Sequence, residues 1–185
     1  MKMKRALILG DSISMGYREY VKEALRDKAE VVYSEANGCF SKWALWLVNN
    51  WIRTNGTPDI VHWNSGIWDM MDEPPLRGNF SSVEEYCHNL SCIIQVLRTA
   101  GVGRIIFATT TYPAPEKEGL DAETVSRYNA CACALMEREG IPVNDLGGLV
   151  REHVAEYVCG DYLHLTDEGY RACARKVTKA IEECL

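Results

Sequence analysis

The fold is decided by the stretch Ala6-Leu7-Ile8-Leu9-Gly10-Asp11-Ser12-Ile13-Ser14. Its continuous apolar run predicts a short strand that is buried on both faces and ends at Gly10. Apolar residues then recur at helical spacing over residues 17–25, which predicts that the strand leads directly into a helix. A buried strand followed at once by a helix is typical of the repeating unit of α/β proteins.

The same alternation of strand and helix continues along the chain. Further strands are predicted at residues 31–33, 60–63, 105–108 and 141–143. Helices are predicted over residues 44–52, from a cap at Ser81 or Ser82 to Gly101, from Asp121 to Glu139, and after Thr166. Residues 66–80 contain two prolines and are interpreted as a long loop. This order predicts an α/β/α sandwich around a five-stranded parallel sheet with the flavodoxin-like strand order 2-1-3-4-5.

Composition and charge narrow the class of protein. The 185 residues are 47% hydrophobic and 25% charged, which favours one globular domain over residues 1–185. The net charge of −6, without a basic stretch, argues against a nucleic-acid partner. The apolar run near the start is too short for an export signal or a membrane span, so we expect a cytoplasmic protein without a membrane partner. Nothing in the sequence predicts the oligomeric state.

The eight cysteines are expected to be reduced thiols, because the sequence shows no export signal. None of them forms the C-x-x-C pattern of a zinc ribbon or a redox site. His88 and Cys92 are four residues apart on a predicted helix and could share a face, but the sequence places no third or fourth ligand near them. We therefore expect no metal.

In a parallel sheet of the predicted order, ligands bind at the carboxyl ends of the strands, beside the first and third strands. Ser12 follows the first strand, and its N–H lies at the positive end of the next helix. A serine in this position can act as a nucleophile if a base reaches it. The alternative is that Ser12 or Ser14 only caps the helix.

A base is available shortly before the last predicted helix. Asp161 and His164 are three residues apart, so within a turn the carboxylate can accept the imidazole Nδ1–H. This contact fixes the tautomer and leaves Nε2 to take a proton from Ser12. The remaining histidines lie in predicted strands or helices and are interpreted as structural: His62, His88 and His153.

An oxyanion hole requires donors aimed at the developing negative charge. The Ser12 N–H is one candidate. The Gly38 N–H is a second, because glycine in the loop after the second strand allows close approach of the backbone. A side-chain amide from the end of the third strand would complete the set.

Together these segments resemble the GDSL/SGNH hydrolases. Residues 10–14 are similar to the first sequence block of that family, Gly38 to the second, residues 58–69 to the third, and Asp161 with His164 to the last. The resemblance extends from residue 6 to about residue 180. It implies a flavodoxin-like fold and an esterase, lipase, thioesterase or carbohydrate deacetylase that needs no cofactor.

The third block departs from the family pattern of Gly-x-Asn-Asp, because it reads Gly66-Ile67-Trp68-Asp69. The asparagine that would donate to the oxyanion is missing. Asn64 could supply the amide from the same strand end, Trp68 could donate through Nε1–H, or the hole could have only two donors. We expect Asn64 to be the donor and Trp68, with Asp11 and Asp69, to belong to the substrate pocket.

These observations predict a serine esterase that cleaves short-chain acyl esters, acetyl esters above all, through an acyl-enzyme on Ser12. The expected partner is a small-molecule ester, with acylated sugars as candidates. Sugar rings could stack on four tryptophans near the site, although packing in the core is about twice as favoured for most of them: Trp43, Trp46, Trp63 and Trp68. The alternatives are a catalytically silent ligand-binding protein of the same fold and an acyltransferase.

Overall fold

In the computed structural model, which describes residues 3–72 and 77–185, five parallel strands form a sheet in the order β2-β1-β3-β4-β5. The strands are β1 (Lys4–Leu9), β2 (Ala29–Tyr33), β3 (Ile60–Asn64), β4 (Arg104–Ala108) and β5 (Val143–Asn144). This is the predicted topology. It makes β1 and β3 neighbours, with Leu9 opposite Trp63, so the carboxyl ends of these two strands meet at one edge of the sheet.

The strand boundaries differ from the predicted ones by one or two residues, and β2, for example, begins at Ala29. β1 begins at Lys4, two residues earlier than its apolar run, because parallel pairing with β2 starts at Lys4 and uses backbone groups only. β5 comprises two residues, since only Val143 and Asn144 pair with β4. Apolar periodicity detects burial, whereas strand boundaries depend on which backbone groups find a partner.

The helices fall into two packed groups that flank the sheet. α1 packs against α8 in one group, while α2 packs against α4 and α4 against α5 in the other. The helices are α1 (Ser12–Leu25), α2 (Ser41–Asn55), α3 (Ile67–Met70), α4 (Val83–Thr99), α5 (Ala122–Arg138), α6 (Leu146–Glu152), α7 (Val154–Tyr157) and α8 (Asp167–Glu182).

Side-chain caps start three of these helices where the sequence predicts them. Of the two candidates for α4, Ser82 is the cap, and it forms a reciprocal capping box with Glu85. Asp121 accepts the N–H of Thr124 at the start of α5, and Thr166 caps α8. These bonds satisfy N–H groups that have no partner within their own helix.

Three short helices were not predicted. α3 forms within the segment interpreted as a long loop, directly after β3, so it brings Trp68 close to the strand ends. α6 and α7 connect β5 with α8. The prolines of the predicted loop, Pro74 and Pro75, lie outside the described residues.

The expectation of eight reduced thiols is wrong for one pair of cysteines. Cys87 in α4 and Cys131 in α5 form a disulfide, with their Cα atoms 6.6 Å apart. The two helices pack side by side, which brings together cysteines that are 44 residues apart in the sequence. The other six cysteines are free.

His62 lies in the middle of β3 and is fully buried. Its Nε2 is 3.1 Å from Nδ2 of Asn144, which donates to the neutral ring. Burial lowers the pKa of His62 to about 4, because the charged imidazolium would lose its hydration. The ring is therefore neutral at physiological pH, which agrees with its interpretation as structural.

We expect His62 to make the protein less stable in acid. Between pH 6.5 and pH 4 the unfolded chain binds a proton at this residue that the folded chain does not, so stability rises with pH in that window. The free energy of unfolding of the wild type should fall by about 3 kcal/mol more than that of His62→Gln between pH 7 and pH 4. Urea unfolding at several pH values measures the difference. Equal pH dependence in both proteins would contradict the lowered pKa.

Candidate active site

Ser12 is the first residue of α1, directly after the end of β1. The cap of this helix is Asp11, whose carboxylate accepts the N–H of Ile13 at 3.0 Å. Ser14 instead donates its hydroxyl to the Asp11 carbonyl oxygen at 2.8 Å. The alternative in which Ser12 or Ser14 caps the helix is thus wrong. Because Asp11 supplies the cap, the Ser12 hydroxyl is left to make a different contact.

A tight turn between α7 and α8 carries the other two predicted residues. Oδ1 of Asp161 accepts the backbone N–H groups of Leu163 at 3.0 Å and His164 at 2.8 Å. The Cys159 thiol donates to the same oxygen at 3.2 Å. The Asp161 side chain therefore holds its own turn in shape, and its second oxygen faces the His164 ring.

Tyr162, between Asp161 and His164, adopts a left-handed backbone conformation with φ of 67°. This conformation is unfavourable for a bulky residue and persists only where its surroundings fix it. Here Tyr162 donates its N–H to the Cys159 carbonyl, and its own carbonyl accepts the N–H of Ala114, each at 2.9 Å. The turn is thereby tied to the loop after β4.

The three side chains form one continuous chain of hydrogen bonds. Nδ1 of His164 is 2.6 Å from Oδ2 of Asp161, and Nε2 is 2.9 Å from Oγ of Ser12. Burial alone would raise the pKa of Asp161, but the hydrogen bonds from His164, Leu163 and Cys159 outweigh it and hold the pKa well below its usual value. Asp161 is thus ionised, and it keeps the Nδ1–H tautomer of His164, so that Nε2 can accept the Ser12 proton.

Ser12 and His164 open into a cavity of about 360 Å³. Most of its wall is apolar, and one side-chain amide interrupts it. The lining residues are Ser12, Asn37, Ile67, Trp68, Met71, Phe80, Leu163 and His164. The arrangement can therefore activate a hydroxyl next to a small, mostly apolar binding space.

The sequence of this site and fold matches a family model over residues 8–172, that of the GDSL-like lipase/acylhydrolase family. The chain belongs to this family. Membership places it among the carboxylic ester hydrolases. No curated protein matches the chain significantly in sequence.

Solved structures of other hydrolases share the fold over nearly the whole chain. A lipase/acylhydrolase from Enterococcus faecalis is 20% identical, with a TM-score of 0.84 over 98% of this chain and 96% of its own. A catalytic mutant of an acetylxylan esterase from Geobacillus stearothermophilus is 19% identical, with a TM-score of 0.81 over 96% and 94%. A putative SGNH hydrolase from Slackia heliotrinireducens is 17% identical, with a TM-score of 0.76 over 97% and 100%.

The structure places two predicted pocket residues elsewhere. Asp11 and Asp69 are both buried, and neither reaches the cavity wall, where only Trp68 of the three is found. Asp69 accepts the N–H and hydroxyl of Ser41 at 2.8 and 2.5 Å, and the hydroxyl of Ser81 at 2.7 Å. Burial raises its pKa, an effect that these hydrogen bonds partly offset. In this GDSL protein Asp69 therefore joins the start of α2 to the segment before α4.

The two donors expected beside Ser12, Gly38 and Asn64, are not among the residues that line the cavity. The Gly38 N–H donates to the Gly10 carbonyl at 2.8 Å, and a Cβ on Gly38 would lie 2.6 Å from that oxygen. Asn64 is 4% exposed, and its side chain packs against Gly10. A Cβ added to Gly10 would lie 2.0 Å from Oδ1 of Asn64. Its amide faces Asp11, whose pKa is raised by burial and lowered in part by that amide. The Gly38 N–H is thus engaged within the backbone, and the Asn64 side chain is enclosed beside Gly10.

The four tryptophans considered for sugar stacking divide into two kinds. Trp63 is fully buried and packs edge-to-face on Phe107, with the ring centroids 5.0 Å apart, so it belongs to the core. Trp43 and Trp46 stack on each other on α2, with their ring centroids 4.8 Å apart, and both residues are more than a third exposed. Trp68 is 38% exposed and lines the cavity. Three of the four are therefore accessible.

His88 and Cys92 share one face of α4, with Nε2 and Sγ 3.6 Å apart. Within residues 3–72 and 77–185, no cluster of three or more side chains suited to binding a metal is found. In the same ranges, no helix is both long and apolar enough to cross a membrane. That the reaction needs no metal or cofactor stays a prediction from the sequence.

Several residues of the cavity wall were not predicted from the sequence. Asn37 and Phe80 lie in loops, and Met71 and Leu163 are isolated apolar residues without a periodic pattern. Of these, only Asn37 carried a usable signal, because it precedes Gly38 in a loop that follows a strand at the predicted edge of the sheet.

Proposed function

We propose that the protein hydrolyses short-chain acyl esters through an acyl-enzyme on Ser12. The observation that carries this proposal is the continuous chain of hydrogen bonds from Asp161 through His164 to Ser12, at 2.6 and 2.9 Å, beside a small cavity. A serine hydroxyl that faces a histidine, itself fixed by a carboxylate, is the arrangement that activates a nucleophile.

Acylation begins when Ser12 Oγ attacks the ester carbonyl carbon and His164 Nε2 takes the hydroxyl proton. The carbonyl electron pair moves onto oxygen, and the resulting oxyanion lies near the N-terminus of α1, where the Ser12 N–H is a donor. The tetrahedral intermediate then collapses. The ester C–O bond breaks, His164 gives its proton to the departing alkoxide, and the alcohol leaves.

Deacylation repeats these steps with water as the nucleophile. His164 takes a proton from water, the hydroxide attacks the acyl carbonyl, and His164 returns the proton to Ser12 as the acid leaves. Asp161 remains a carboxylate throughout and stabilises the positive imidazolium in each half of the reaction.

The cavity supports a short acyl group. Its volume of about 360 Å³ must hold the acyl chain and part of the alcohol, and its apolar walls include Ile67, Met71 and Phe80. Acetylated sugars are proposed among the substrates because Trp68 lines the cavity and Trp43 and Trp46 are exposed on α2. One of the similar structures is an acetylxylan esterase, which agrees with this substrate class.

A substrate panel tests the proposal. Nitrophenyl esters from acetyl to octanoyl and acetylated xylo-oligosaccharides are assayed with wild type and Ser12→Ala. We expect the highest kcat/KM for acetyl or butyryl esters, with a fall for longer chains, because the cavity of about 360 Å³ must also hold part of the alcohol. Full activity in Ser12→Ala, or an inactive wild type, would contradict the proposed function.

A further inference from the structure

The oxyanion hole of this protein lacks a second donor among the residues that the family resemblance implies. Trp68 replaces the family asparagine, the Gly38 N–H is bonded to the Gly10 carbonyl, and Asn64 is buried against Gly10. Only the Ser12 N–H remains in place. A single backbone donor leaves much of the developing charge without a partner.

Asn37 brings a side-chain amide to the cavity wall. It lines the same cavity as Ser12 and His164 and is partly buried in the loop between β2 and α2. Its backbone carbonyl accepts the Trp43 Nε1–H at 3.0 Å, which anchors the loop to the first turn of α2. Asn37 is thus held at the cavity wall by contacts that involve no substrate.

The orientation of the Asn37 amide follows from its other contact. Oδ1 accepts the N–H of Cys39 at 2.8 Å, an Asx turn that only the oxygen end of the amide can make. The Nδ2 end must then point the other way, and it has no hydrogen-bond partner in the described part of the chain. Two N–H donors are therefore fixed at a polar break in an otherwise apolar wall.

We propose that Nδ2 of Asn37 donates to the oxyanion formed on the ester carbonyl, together with the Ser12 N–H. This proposal rests on the proposed hydrolysis at Ser12. It assigns the donor role of the asparagine in the family's third sequence block to Asn37, in the loop after the second strand. The Asx turn fixes the amide before substrate binds, which is the condition for an effective oxyanion donor.

Two substitutions at Asn37 test the role. Asn37→Asp keeps an oxygen for the Cys39 N–H and replaces the Nδ2 donor with an acceptor, and Asn37→Ser keeps a shorter acceptor and removes the donor. We expect kcat to fall by about 10²–10³-fold in both variants, with KM changed by no more than a few-fold, because the contact forms in the transition state. The rate of labelling by a fluorophosphonate should fall by a similar factor, since the phosphoryl oxygen enters the same hole.

Trp68→Phe is the competing variant, because it retains most of the ring and removes the indole N–H. If kcat falls less in Trp68→Phe than in Asn37→Asp, the result supports the proposal. If kcat falls more in Trp68→Phe, the donor role belongs to Trp68 and the proposal is overturned. Circular dichroism and the melting temperature exclude misfolding as the cause. If the wild type is active and both Asn37 variants keep a third or more of its kcat, the donor role of Asn37 is refuted while the proposed hydrolysis at Ser12 stands. A wild type that neither hydrolyses esters nor reacts with the probe would instead refute the proposed function.

Discussion

Ser12→Ala and His164→Ala should each lower kcat by about 10⁶-fold, and the double variant should be no worse than either single one. The reason is that Nε2 of His164 is 2.9 Å from Oγ of Ser12, so the two groups perform one proton transfer and the loss of either removes it. Steady-state kinetics with an acetyl ester measure the three rates. Losses that multiply in the double variant would show that the two residues act separately.

Ser14→Ala provides a matched control two residues away. Ser14 is buried and donates its hydroxyl to the Asp11 carbonyl, so it contacts the start of α1 without reaching the cavity. A fluorophosphonate should label wild type and Ser14→Ala but not Ser12→Ala. Labelling that survives in Ser12→Ala would assign the nucleophile to another residue.

Local sequence signals predicted the fold and the three side chains of the proposed catalytic set. The apolar run of β1, the caps at Ser82 and Asp121, and the three-residue spacing of Asp161 and His164 each depend on neighbours in the sequence. The hydrogen bonds of one cap or one turn, and the burial of one strand, are indicated by such short-range patterns. For that reason they could be inferred without the structure.

Residues whose role depends on packing between distant segments could not be predicted. Asp69 looked like part of a pocket because it follows the third strand, yet Ser41 and Ser81 come from elsewhere in the sequence to bury it. The pairing of Cys87 with Cys131 depends on the packing of α4 on α5 in the same way. Sequence proximity to a strand end indicates an edge of the sheet but not which side chains are enclosed.

The prediction of Asn64 as oxyanion donor also depended on packing between distant segments. Alternation along β3 correctly puts Asn64 at the strand end, but the sequence could not show that the Asn64 side chain packs against Gly10, the residue that follows the neighbouring strand β1. Asn37 reaches the cavity because its loop bends back towards Gly10, whose carbonyl accepts the N–H of Gly38 from 28 positions further along the chain. The loop after β2 and the end of β1 together determine which amide faces the substrate.

Asp161 offers the sharpest test of how His164 is oriented, because its two oxygens have different partners. Oδ1 accepts two backbone N–H groups, and Oδ2 faces Nδ1 of His164 at 2.6 Å. In Asp161→Asn the amide oxygen must take the Oδ1 position, since an NH₂ group cannot accept from N–H donors. The amide nitrogen then faces His164 and donates to Nδ1, which moves the ring proton to Nε2.

Asp161→Asn should therefore lower kcat by about 10⁴-fold while the turn keeps its shape, because a protonated Nε2 cannot accept the Ser12 proton. Kinetics of ester hydrolysis and a thermal melt measure the two effects. Cys159→Ala is the control: it removes the thiol contact to Oδ1 at 3.2 Å but leaves the carboxylate and both backbone bonds, so most of the activity should remain. An Asp161→Asn variant with a tenth or more of the wild-type kcat would mean that the turn, rather than the carboxylate, orients His164.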